Sequence, residues 1–158
     1  MAKNNLLSPW QVKEIKTKVL LRDFEKINSV MSRREVKVRA DMAAQTYQPP
    51  AWSRISHTGN GTTNVKHEVV FSARQRAFDV ESVEGLIGIT GLNYHELAHI
   101  LYTQGAANPE TPAGKHPAHI IRTKLMYAAA SNKAQMIRAV FEDMRIERKF
   151  LREYGPTK

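Results

Sequence analysis

Apolar positions return at helical spacing in several stretches of this chain and alternate in one. After Ser8-Pro9-Trp10, a serine cap with proline in the first turn, Val12, Ile15, Val19, Leu20, Phe24 and Ile27 recur every three or four residues. They predict an amphipathic helix of about five turns whose other face carries Lys13, Lys16, Lys18 and Lys26. A shorter helical pattern follows from about Ser32 to Ala44, weakened by the β-branched alternation of Val36 and Val38. Between Tyr47 and Asn64 the run Pro49-Pro50, the triplet Gly59-Asn60-Gly61 and several Ser/Thr residues predict a loop, with His57 exposed on it. Val65 to Ser72 then alternates, which predicts a strand with Val65, His67, Val69 and Phe71 on its buried face.

The second half is again helical. Asp79 to Tyr102 forms the central pattern, entered through Asp79 or Ser82 as cap. At about 100° per residue, Gly88, Gly91, His95, His99 and Tyr102 share one face, and Leu86, Ile89, Leu97, Ile100 and Leu101 the other, so burial on both sides is expected. Gly85, Gly88 and Gly91 would each cost about 1 kcal/mol against alanine in a helix interior. Either another backbone packs closely there or the helix starts only near Gly91. Thr103 to Pro117 has the length of a lid, and Pro117 opens a helical pattern through Ile120, Ile121, Leu125 and Met126 to Ala130. The last helix, about Lys133 to Tyr154, stops before Gly155-Pro156. Its main apolar face is Ile137, Val140, Phe141, Met144 and Leu151; a narrower stripe of Ala139, Ile146 and Phe150 is flanked by Glu142 and Asp143. The pattern as a whole predicts a mainly helical α+β protein with a small β-sheet or hairpin.

Composition narrows the chemistry more than the fold. The 158 residues, 42% hydrophobic and 25% charged, suit one ordinary globular domain, with a basic helical region over 1–45, a loop over 46–64 and a core over 65–154. There is no cysteine, so a metal would have to be held by His, Asp or Glu, and thiol nucleophiles and disulfides are excluded. No secretory signal or membrane-length apolar run is visible, which makes the cytoplasm the default location and a membrane partner unexpected. The net charge of +9 is concentrated in residues 1–40, which carry +6. Lys13, Lys16, Lys18 and Lys26 therefore offer a basic surface that nucleic acid or an acidic protein could meet, although a solvated helix face is the commoner meaning of such a run.

One motif dominates this background. His95-Glu96-Leu97-Ala98-His99 places two imidazoles four residues apart, on one face of a helix and about a turn from each other. That spacing suits one zinc ion, and Glu96 then stands where it can take a proton from water activated by the ion. A catalytic zinc needs a third protein ligand, and the last helix supplies two candidates, Glu142 and Asp143, beside its narrow apolar stripe. Buried carboxylates need a partner, and a metal would provide one; the alternative is a solvated face on which Glu142 pairs with Arg138 or Arg145 and Asp143 with the basic neighbours of Glu147. Tyr102, His116, His119 and Tyr127 are candidates for stabilising a transition-state oxyanion. The strand at Val65–Ser72 precedes the motif in the order expected of an edge strand that holds an extended substrate. These features predict a zinc-dependent metalloprotease, a hydrolase acting on a protein or peptide.

Two segments together, Asn93-Tyr94-His95-Glu96-Leu97-Ala98-His99-Ile100-Leu101-Tyr102-Thr103 and Val140-Phe141-Glu142-Asp143-Met144-Arg145-Ile146-Glu147, resemble a metallopeptidase-like domain of phage and bacterial proteins that often carry a von Willebrand factor A domain downstream. The second motif of that family reads roughly L-E-D-x-R-I-E; Phe141 stands here where leucine is usual. The resemblance covers mainly residues 65–154. It implies a zincin-like fold with an active-site helix and a C-terminal third-ligand helix, in a gluzincin-like arrangement with Glu142 as third ligand, Asp143 as the alternative, and Arg145 and Glu147 orienting the ligands. It also implies an A-domain partner, which the 158 residues do not contain, and a setting in a phage-infected or bacterial cytoplasm. The rival expectation is a non-catalytic module that binds nucleic acid or an acidic protein through its basic helix, with zinc absent or structural.

Overall fold

A computed structural model describes residues 7–43, 49–57, 65–75, 77–104 and 132–155 of the chain. The protein is α+β and mainly helical: helix α1 (Pro9–Ser32), strands β1 (Val36–Asp41), β2 (Ala51–His57) and β3 (Val65–Ser72), helix α2 (Val83–His99) running into a π-helical turn (Ile100–Gln104), and helix α3 (Asn132–Tyr154). The chain forms two compact units, Met1–Tyr94 and His95–Lys158. No helix among the described residues is long and apolar enough to cross a membrane.

In the first unit α1 begins as its sequence predicts. Ser8 Oγ accepts from the backbone N–H of Gln11, the Gln11 side chain accepts from the N–H of Ser8, and Pro9 opens the first turn. Its buried face differs from the expected one. Phe24, Asn28 and Ser32 are buried, four residues apart, while Val12, Ile15, Val19 and Ile27 are exposed. The helix follows its C-terminal half into the core. It ends where Arg33 takes a left-handed conformation, φ 53°, and its N–H returns to the carbonyls of Ser29 and Val30. The helical pattern expected over 32–44 is therefore strand β1, whose buried Val36 and Val38 face the same way.

The predicted loop over 46–64 likewise contains β2, which starts directly after Pro49-Pro50, where a strand tolerates proline. The sheet order is β1-β3-β2, with β1 parallel and β2 antiparallel to β3. Strand β3 has the predicted bounds, but it is the middle strand and has no unpaired edge on which to lay a substrate. Val70 and Ser72 are buried as fully as Val69 and Phe71, because a middle strand packed on both faces need not alternate. Phe24 of α1 packs its ring 6.0 Å from Phe71, which lies 5.7 Å from Phe78.

Helix α2 starts at Val83. Asp79 and Ser82 both serve its entry: Ser82 Oγ donates to Asp79 Oδ2 at 2.5 Å and accepts from the Gly85 N–H at 3.0 Å. Gly85 has its close backbone, since a Cβ there would overlap the Asp79 carbonyl oxygen; Gly88 and Gly91 face open space. The start near Gly91 and the expected burial on both sides therefore do not hold for the first turns of α2. Further along, Asn93 and Asn28 are both completely buried and exchange two amide hydrogen bonds, 2.8 and 2.9 Å, which tie α2 to α1 two residues before the motif begins.

In the second unit Ala98, Tyr102 and Ile146 form the core, with Leu101 and Phe150 against it. Of the narrow stripe of α3, Ile146 is buried and Phe150 partly so, while Ala139 is exposed; Ile137, Val140, Phe141, Met144 and Leu151, the larger apolar face, are exposed.

Candidate metal centre

Residues His95 to Gln104 and α3 build the centre, all of it within the second unit. The helical spacing of four puts the two imidazoles side by side, ring centroids 4.9 Å apart and nearly perpendicular. From α3, Asp143 Oδ1 lies 3.3 Å from His99 Nε2 and 4.0 Å from His95 Nε2. One donor atom from each of His95, His99 and Asp143 lies within 4.8 Å of the others, a spacing that one ion can bridge. Two nitrogens and one carboxylate oxygen form a donor set that zinc accepts. The fit is therefore to Asp143.

Glu142, the other candidate third ligand, has different partners. It is buried, and Arg145 grips both its oxygens, Nε on Oε2 at 2.7 Å and Nη2 on Oε1 at 2.5 Å. The Thr103 hydroxyl donates to Oε1 at 2.6 Å. Arg145 also donates to the backbone carbonyl of Tyr102 at 3.3 Å, so it holds both Glu142 and the π turn to α3. Thr103 had no signal in the sequence, because its role depends on the π turn and on the approach of a helix some forty residues later.

Glu147 stands where an orienting group should. Its Oε1 is 2.9 Å from His95 Nδ1, which leaves Nε2 of that ring for an ion. His99 is neutral over a wider pH range than an ordinary histidine: burial lowers its pKa and the His95 ring adds to this, against the opposing pull of Glu96, Asp143 and Glu142. A metal-binding histidine must be neutral, so the shift suits the role. Glu96, between the two histidines in the chain, is buried, and its charge acts on the His99 ring.

Among the other candidates, Tyr102 sends its hydroxyl to Glu153 at 2.6 Å, and Lys149 sits 4.4 Å over its ring. Burial and the Glu153 carboxylate push its pKa well up, so it remains a bound phenol and its proton is directed to α3. His116, His119 and Tyr127 lie outside the described residues, as do most of the expected lid over 103–117 and the helix expected over 117–130. His67 is buried in β3 with Nε2 3.4 Å from Arg34. On the basic helix, Lys13 pairs with Glu81, Lys18 with Glu14 and Lys26 with Asp23, all at exposed positions. Lys16 of the same helix is exposed as well.

No protein-family model, curated protein or solved structure matches the chain.

Proposed function

We propose that the chain is a zinc-dependent peptidase with a zincin-like centre in which His95, His99 and Asp143 hold the ion and Glu96 is the general base. The observation that carries this reading is the convergence of three donor atoms within 4.8 Å of one another beside a buried glutamate in an H-E-x-x-H helix. Three protein ligands leave a zinc ion an open position, the mark of a catalytic site. When bound there, zinc supplies Lewis acidity, lowering the pKa of water and polarising a peptide carbonyl.

The chain's own residues do the rest. Glu96 accepts a proton from the attacking water and hands it to the leaving amine, and its low exposure keeps the carboxylate from being dispersed into bulk solvent. Asp143 neutralises part of the ion's charge, which the two imidazoles cannot do. Glu147 keeps His95 turned with Nε2 inward. The π turn after the second histidine swings Tyr102 and Thr103 toward α3, where they bind Glu153 and Glu142.

The test is cleavage of a mixed peptide library by zinc-loaded protein and by Glu96→Gln. A loss of about 100-fold or more in turnover with zinc retained is expected when a general base is removed. Undiminished cleavage by Glu96→Gln would refute the reading.

A further inference from the structure

Both candidate histidines must present Nε2 to the same point, and the ring nitrogen that carries the proton is set by the hydrogen bond made on the other side. For His95 that partner is Glu147. For His99 the group facing Nδ1 is the Thr103 hydroxyl, at 3.5 Å. The distance is the outer limit of a hydrogen bond, yet the direction of the bond follows from the next link. Glu142, paired with Arg145 through both oxygens, is a carboxylate with no proton to give. The 2.6 Å contact between Thr103 Oγ1 and Glu142 Oε1 must therefore use the threonine hydrogen. With its hydrogen committed, Oγ1 faces His99 with lone pairs only and can accept, not donate.

We propose that Thr103 and Glu142 form a carboxylate–hydroxyl–imidazole relay that positions His99, holding it as the Nδ1–H tautomer with the Nε2 lone pair toward the metal centre. The inference rests on the zinc-peptidase reading and deepens it. Thr103 and Glu142 are positioning residues that touch neither ion nor substrate. The relay gives each histidine a carboxylate from α3, Glu147 directly for His95 and Glu142 through a hydroxyl for His99. It also gives Glu142 a reason to be buried beside the centre without being a ligand. The π turn matters because it carries Thr103 between His99 of the motif and Glu142 of α3.

The experiment is zinc affinity by competition with a chromophoric chelator, and the visible spectrum of the cobalt-loaded protein, for wild type, Thr103→Val and Thr103→Ser. Melting of the metal-free proteins reports whether each is folded. Thr103→Val, which keeps the shape and removes the hydroxyl, should weaken zinc about ten- to hundredfold and change the cobalt spectrum. Thr103→Ser, which keeps the hydroxyl, should restore both. Wild-type affinity in Thr103→Val overturns the relay and leaves the zinc reading standing. Equal weakening in both variants also overturns it, since the methyl group and not the hydroxyl would then be what matters. Absence of zinc affinity in the wild type removes the zinc reading and the relay together.

Discussion

His95 and Glu147 meet at 2.9 Å across the gap between the motif helix and α3, ring nitrogen Nδ1 to carboxylate oxygen. A carboxylate on this nitrogen fixes the ring and makes the other nitrogen a better donor to a metal. Glu147 is half exposed, so replacing it should cost the fold about 0.5 kcal/mol or less. Glu147→Ala is expected to lower zinc affinity by about 10- to 100-fold in a competition titration, with the melting temperature of the metal-free protein unchanged.

Glu142 and Asp143 are neighbours with different partners: Glu142 is paired with Arg145 and Thr103, and Asp143 lies against the two imidazoles. Removing Asp143 takes away a donor atom, so Asp143→Ala should lose stoichiometric zinc while folding normally. Removing Glu142 strips Arg145 and Thr103 of a buried partner, so Glu142→Ala should cost about 1–3 kcal/mol in urea unfolding and weaken zinc without abolishing it. Normal zinc binding in Asp143→Ala, with none in Glu142→Ala, would make Glu142 the ligand.

The paired amides of Asn28 and Asn93 give a prediction in the first unit. Each is buried and satisfied by the other, so Asn28→Ala or Asn93→Ala alone should cost about 1–3 kcal/mol, the penalty of leaving one amide unpaired. The double variant should cost less than the two singles added, with a coupling of about 0.5–3 kcal/mol in a denaturant cycle. Strict additivity would mean that the pair is not made.

The glycines of α2 separate two physical causes. Gly88→Ala and Gly91→Ala meet open space and should each stabilise by about 0.5–1 kcal/mol, the usual helix-propensity gain. Gly85→Ala would drive a methyl group into the Asp79 turn and should destabilise by about 1–3 kcal/mol, as overpacking does. Thermal melting of the three variants distinguishes them by sign.

The parts of this structure that were legible in the sequence are those whose signal is local. The capped start of α1, the bounds of β3, the stop of α3 at Gly155 and the side-by-side histidines all follow from spacing or from cap chemistry. The end of α1 was hidden because Arg33 occupies a left-handed position that glycine or asparagine usually marks. β2 was hidden by the prolines before it and by its mixed composition. On α3 the apolar count pointed to the exposed face, whereas Ile146 and the buried Glu142 mark the face that packs. Two adjacent carboxylates on one helix cannot be assigned from sequence, since the assignment depends on where Arg145 and Thr103 reach.

Zinc content decides the central claim most directly. Protein stripped with a chelator, reloaded with zinc, desalted and subjected to elemental analysis should hold about one ion per chain, as a single His-His-Asp site requires. His95→Ala, His99→Ala and Asp143→Ala should each retain almost none. Wild-type protein that returns empty, or variants that load as fully as the wild type, would contradict the account.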